Sequence, residues 1–418
     1  MRNRILIPMS AMLLFVLAAC DNAPVSPQTD TTQLWPAGKY IEEEDYILYG
    51  YINRNGKFVI EPQYDYASTF SCGYAIVYDE NKKQYYYIDT KGNQQSYSST
   101  YAPDLFYYGF AKVTFDGLDE RQYGFINTKF EYVIDMARGL TNISDHMTKD
   151  GYIWSCNYKS STNSYLYSYM HLEYADIISR PIDEDHTYLY AADFIDGYAV
   201  TATSEGFGII NTNYESTLKH AEKNGMLQNI GYGLFAYREA ENLDAALRLA
   251  RTAYKTPITK IIDANGNTVA DNINYQYIQP FIEGEKLAVF CNSDRKCGYI
   301  DRNGREAIKA QYESADDFSE GYACVQKDDE PGCLIDQNGK VVLTLSGDEY
   351  EWFEIGMHNG LFLVMYENEE GEGMAYKDVK GKVIYSWRTP YPELPCAPRR
   401  FGNVNGSRPV KHYAIGGC

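Results

Sequence analysis

Tryptophan and histidine are scarce in this chain: four and six among 418 residues. The six histidines are scattered and no C-x-x-C occurs, which excludes the usual zinc-site spacings; neither metal nor cofactor is expected. Positive charge is also short, with 38 Lys plus Arg against 57 Asp plus Glu. That balance repels nucleic acid and anionic membrane surfaces, and favours a well-solvated surface or a basic partner. Catalytic signatures are missing as well. There is no glycine-rich phosphate loop, no G-x-S-x-G elbow and no H-E-x-x-H. Acid pairs such as Asp316-Asp317 and Glu369-Glu370 are neighbours in loops, which is not a poised acid–base pair. No catalytic residue is expected, and the chain reads as a non-enzyme.

What is present begins at the N-terminus. Arg2 and Arg4 precede an apolar run at 5–19, followed by Cys20. The run is short for a membrane span, which needs about 20 apolar residues, and reads as a secretory signal. LAAC at 17–20 resembles the lipobox of bacterial lipoproteins, which implies that residues 1–19 are removed and Cys20 is lipidated. Asp21-Asn22 then resembles the enterobacterial signal for inner-membrane retention. The expected address is the bacterial cell envelope, lipid-anchored at the periplasmic face of the inner membrane. Without Arg2 and Arg4 the net charge of −19 becomes −21. Residues 20–34 hold the lipidated Cys and a tether without apolar periodicity.

The body repeats itself. GYINRNG (50–56) recurs as YYIDTKG (86–92), GFINTKF (124–130), GIINTNY (208–214), IIDANG (261–266), GYIDRNG (298–304), CLIDQNG (333–339) and YKDVKG (376–381). Most steps are 35 to 38 residues; the longest gap fits two units, with a degenerate copy near 165–171. A second phrase, as in FSCGYAIV (70–77) and FSEGYACV (318–325), keeps step with the first. The turn positions have a physical reason. Asn53, Asp89, Asp263, Asp301 and Asp336 can accept hydrogen bonds from their own backbone two residues on. Gly56, Gly92, Gly266, Gly304 and Gly339 supply the positive φ that closes a short hairpin. These [DN]-x-[DN]-G runs lack the later Glu of a calcium loop, and the turn explains them.

The phrase therefore reads as strand, turn, strand, and the second phrase as a third strand, with a fourth candidate at 64–70. Each unit is a small β-meander that buries its apolar face by stacking on neighbours. The expected class is all-β: about eight to nine repeats of roughly 35–42 residues over 35–385, in a propeller-like ring or an open twisted β array.

These residues resemble the WG-repeat family, best at 50–77 and 298–325. The naming Trp is replaced by Tyr49, Tyr123, Phe207 and Cys297. The resemblance implies interaction rather than chemistry. The expected function is a membrane-anchored, non-catalytic protein-binding or scaffold module with an envelope protein as partner. The alternatives are a glycan or peptidoglycan binder and, last, an enzyme with a site assembled across repeats.

Four features lie outside the repeat pattern. Residues 238–255 have helical spacing, with Leu243, Ala246, Leu247, Ala250 and Tyr254 on one stripe and Asn242 placed to cap. The eight cysteines after Cys20 suggest disulfides in an exported chain. Aligning Ala288 with Ala323 and Gly298 with Gly332 predicts Cys291–Cys297 and Cys324–Cys333 in one hairpin register; Cys396–Cys418 would staple the tail, and Cys72 with Cys156 remains. The alternative is free buried cysteine. Many of the 41 tyrosines fall at fixed repeat positions and read as packing, whereas 85–87 and 164–171 are out of phase and offer a stacking surface for sugars or peptides. The tail, 386–418, is rich in Pro and Gly and carries Arg399, Arg400, Arg408 and Lys411; it reads as a strap on the acidic body.

Overall fold

A computed structural model describes residues 34–41, 46–116, 121–134, 143–144, 149–159, 164–172, 188–251, 256–328, 330–346, 349–351, 357–368 and 371–388. Cys20, Asp21, Asn22, Cys396 and Cys418 lie outside these residues, as does the tail beyond Arg388.

Among the described residues thirty-two short strands form nine antiparallel sheets, each built from consecutive strands. Eight are blades of three or four strands and one is a two-stranded hairpin. In chain order these are blade 1 (35–64), blade 2 (66–99), blade 3 (110–134), the hairpin (152–171), then blades 4 (190–218), 5 (226–270), 6 (275–312), 7 (314–344) and 8 (349–388).

The array closes into a propeller-like ring. Nine apolar clusters each join one sheet to the next. The ninth joins blade 8 to blade 1, where Trp35, Ala37 and Ile52 pack on Leu361, Leu363, Met365, Tyr376 and Trp387. Among the described residues no strand is exchanged at this seam. Instead the Tyr376 hydroxyl donates to Pro36 O at 3.0 Å and the Tyr385 hydroxyl to Gly38 O at 3.1 Å. Gly38 is required there, because a Cβ would sit 2.5 Å from the Trp387 ring.

The sequence repeat and the structural blade are out of phase. Residues 50–77 cover β2 (Tyr46–Ile52) and β3 (Phe58–Tyr64) of blade 1, then β4 (Tyr66–Ala67) and β5 (Tyr74–Asp79) of blade 2. The blades are β-meanders as expected, but their boundaries fall inside the repeat: each copy of the two phrases is half of one blade and half of the next. The reason is visible at Tyr51, whose buried hydroxyl donates to Ser68 O in blade 2 at 2.9 Å. Tyr87 and Tyr299 do the same to Asp104 O and Asp316 O. The repeated tyrosine is a link between blades, and burial pushes the Tyr51, Tyr87 and Tyr376 hydroxyls up from their usual range.

The insertion forms α1 (Leu243–Arg251), shorter than the 238–255 expectation because Arg238 still belongs to the strand Leu234–Arg238. Asn242 caps it, its Oδ1 accepting from Ala245 N at 2.9 Å. Ala246 is fully buried and Leu243 and Leu247 are partly so, in the cluster between blades 4 and 5. The helix is a packed elaboration of that seam.

Cys291 and Cys297 face each other across their hairpin and form a disulfide. Cys324 and Cys333 do not: both are free thiols. Ala288 pairs with Ile300 and Ala323 with Ile335, so Gly298 is equivalent to Cys333, not Gly332. Cys333 therefore lies opposite Val325, and Cys324 opposite Leu334. A one-residue slip puts the two sulfurs on opposite faces of the sheet. Cys72 and Cys156 are likewise free.

Candidate functional site

Two sets of turns lie at the same end of every complete blade, because the residue that opens the second strand pairs with the residue that closes the third. They make one face of the ring. The outer set is the repeated turn of the first phrase. Asn53, Asp89, Asn127, Asn211, Asp263, Asp301, Asp336 and Asp378 each accept two backbone N–H groups through Oδ1, from the residues two and four positions on. Gly56, Gly92, Gly266, Gly304 and Gly339 have φ between +72° and +85°. In the copies at 127 and 211 that place is taken by Phe130 and Tyr214, also at positive φ. Their rings pack on aromatics of the preceding sheet: Phe130 on Tyr74 and Tyr87, Tyr214 on Tyr152 and Tyr169.

Five of these turns hold a carboxylate, and at Asp89, Asp263, Asp301 and Asp336 the turn displaces its titration. For Asp89, Asp263 and Asp301 partial burial pushes the carboxyl up, but the hydrogen bonds they accept outweigh it and hold each below the usual range. At Asp336 the amide of Lys340 leads the same lowering.

The inner set surrounds the central opening. Here two successive residues have positive φ, as at Asp196-Gly197, Tyr232-Gly233, Glu320-Gly321 and Asn359-Gly360. From Asp150 onward each turn is tied to the next. Asp150 Oδ2 accepts from Gly197 N at 3.1 Å, and Asp196 Oδ2 from Tyr232 N at 2.6 Å. The Tyr232 hydroxyl accepts from Gly284 N at 3.0 Å, and Glu285 Oε1 from Gly321 N at 3.1 Å. Glu320 accepts from Asn359 N and, at 2.7 Å, from Gly360 N. The chain of bonds runs from the hairpin to blade 8.

Lys149 adds a tie across the opening. Its Nζ is 2.5 Å from Asp196 Oδ1 in blade 4 and 3.4 Å from Glu283 Oε1 in blade 6. Reaching blade 6 from the hairpin, past blades 4 and 5, requires a path over the centre of the ring. The hydrogen bond to Asp196 leads the causes that push the Lys149 ammonium up, and burial leads those that push Asp150 up against its bond from Gly197. Nearby the Arg302 guanidinium stacks 3.4 Å from the centroid of the Tyr232 ring.

The sequence reading placed the outer turns but missed this inner network. A signal was available: the second phrase often carries an acid just before its Gly, as in FIDG (194–197), FIEG (281–284) and FSEG (318–321). The out-of-phase tyrosines divide. Tyr86, Tyr87 and Tyr169 are buried, whereas Tyr85 and Tyr167 are half-buried; Tyr85 stands in a row across blade 2 with the half-buried Tyr66 and Tyr78, the Tyr78 and Tyr85 centroids 4.6 Å apart. Among the described residues no group of three or more His, Cys, Asp or Glu is arranged to hold a metal.

The fold and its turns define a propeller-like repeat protein. The family model described as WG containing repeat matches residues 49–82 and 298–330. Both stretches straddle two blades. No curated protein matches the chain in sequence. Among solved structures it is similar to a eukaryotic initiation factor (TM-score 0.53, 9% identity, 85% of this chain and 96% of that one). It is also similar to the computationally designed Ika8 protein (TM-score 0.40, 10% identity, 77% and 95%) and to BamB from Moraxella catarrhalis (TM-score 0.35, 8% identity, 82% and 97%). At such identities the first likeness reaches the fold alone.

Proposed function

We infer that this protein is an envelope lipoprotein whose repeat ring binds a protein partner without catalysis. The observation that carries the reading is the use made of the acids at the central opening. Asp150, Asp196, Glu285 and Glu320 converge there, yet each accepts a backbone N–H of the next turn. Such groups hold a surface rigid, and rigid repeat surfaces serve as extended binding faces. Cys20 carries the lipid, Asp21 and Asn22 direct retention at the inner membrane, and the ring is presented in the periplasm. Cross-linking in native envelopes followed by affinity purification and mass spectrometry tests this, with Cys20→Ala as control. One dominant protein partner, lost with the anchor, is the expected result; nothing reproducible sinks the reading.

One observation favours a second reading. The half-buried row Tyr66, Tyr78 and Tyr85 offers partly exposed rings, tilted or edge-on to one another, against which a sugar can pack. Saturable binding of peptidoglycan fragments, abolished by Tyr85→Ala, would carry it.

A further inference from the structure

Exposed aliphatic side chains on the outermost strands gather on three blades, while one exposed aromatic, Tyr132, lies at 48% in blade 3. Val59 is 53% exposed in blade 1, Val341 50% in blade 7 and Val383 48% in blade 8. Those blades are consecutive, since blade 7 packs on blade 8 and blade 8 on blade 1. Each valine follows closely on an exposed lysine: Lys57, Lys340 and Lys382. The corresponding pairs elsewhere lack the lysine–valine combination, as at Glu215-Ser216 in blade 4, Asn267-Thr268 in blade 5 and Arg305-Glu306 in blade 6, where a base is followed directly by an acid. The three turns together hold Arg54, Lys57, Lys340, Lys380 and Lys382 against Asp336 and Asp378, so a basic, apolar corner interrupts a chain whose net charge is −19.

The way the chain enters adds a direction. Trp35 opens blade 1 and pairs with Ile52, directly beside the Asn53 turn and Lys57. Anything attached to the N-terminus therefore arrives at this corner and at this face of the ring. Only thirteen residues, 21–33, separate Cys20 from Leu34. Fully extended they reach about 45 Å.

We propose that the corner formed by blades 7, 8 and 1 rests on an anionic lipid surface. This rests on the lipid-anchor reading above. Lysines attract acidic headgroups over roughly a Debye length, about 8 Å at physiological salt, and the adjoining valines enter the headgroup boundary. The acidic remainder is repelled from the same surface. The two effects act together: the anchor holds the ring near the membrane, and the charge pattern turns the corner toward it. The opposite edge, with blades 3 and 4, then points into the periplasm.

The test is hydrogen exchange on the chain from Cys20 to Cys418, held on vesicles by an N-terminal histidine tag and a nickel-chelating lipid. This tether works whatever happens to Cys20 in cells; the mass of the N-terminal peptide from native envelopes reads lipidation separately. Amides at 57–60, 340–344 and 382–386 are expected to exchange about tenfold more slowly on phosphatidylglycerol-containing vesicles than on pure phosphatidylcholine. The protection should vanish in Lys57→Glu/Lys340→Glu/Lys382→Glu, and fade for the unaltered chain as salt is raised. Equal exchange on both lipids overturns the proposal. So does protection that appears without vesicles and grows with protein concentration, which would assign the corner to a second copy of the chain.

Discussion

Blades 1 and 6 hold the faithful copies of the turn, and blades 3 and 4 the degraded ones. In the faithful copies Gly56 and Gly304 take the positive φ; in the others Phe130 and Tyr214 do. Yet the Asx bonds are the same in all four, with acceptor distances between 2.8 and 3.2 Å. The turn is therefore specified by its Asn or Asp. The following glycine relieves a backbone cost of about 1–2 kcal/mol that an aromatic can offset by packing across the seam.

The largest expected effect tests how close that glycine sits to its neighbours. At Gly56 a Cβ would lie 2.3 Å from Ile384 O in blade 8, whereas at Gly73 it would meet nothing within 4 Å. Gly56→Ala should lower unfolding stability by more than about 2 kcal/mol, and Gly73→Ala by about 1 kcal/mol from its φ alone. Urea denaturation measures both, and equal losses would show that the blade 8 to blade 1 seam is not tight.

Phe130→Gly tests the degraded copies. It removes backbone strain but opens the space between blades 2 and 3, so a net loss of about 1–2 kcal/mol is expected. A gain in melting temperature would mean that the ring contributes nothing and that the copy is simply eroded.

Acid separates the two kinds of turn more gently. The folded carboxyls of Asp89, Asp263, Asp301 and Asp336 lie below their ordinary value. Their contribution is present above the unfolded pKa, about 3.9, and is lost as pH falls through the lower folded values. The Asn turns of blades 1, 3 and 4 do not titrate. Below about pH 4, amides 303–305 should lose protection relative to 55–57, after correction for intrinsic exchange. Asp301→Asn should remove that difference; parallel behaviour of the two turns would show that the carboxylate is not the cause.

The smallest effect is expected from the disulfide. Cys291 and Cys297 are six residues apart, so reduction should cost less than about 2 kcal/mol. Labelling of thiols without reductant should find Cys324 and Cys333 after denaturation but not Cys291 or Cys297. A missing Cys324 and Cys333 signal would overturn the register described for blade 7.

Much of this was legible along the chain. Asn53 with Gly56 and Asp301 with Gly304 announce a hairpin because the bonding is local, within five residues. The stripe through Leu243 and Ala246 announces a helix for the same reason. Cys324 and Cys333 misled because the sequence alignment took Gly332 for Gly298. Register within a sheet depends on which side chains are buried, and Leu334 and Ile335 had to face their cores. The inner acids escaped notice because each acts on a turn 35 to 50 residues away.

By itself, then, the sequence determined the local units: the turns, the strands, the helix cap and the repeat that counts them. Local hydrogen bonds and φ preferences suffice for those. Tertiary structure alone decided that the ring closes, that each repeat is shared between two blades, and that Lys149 reaches Glu283 across the opening. Those facts depend on which apolar face meets which, and that is settled only when all nine seams pack at once.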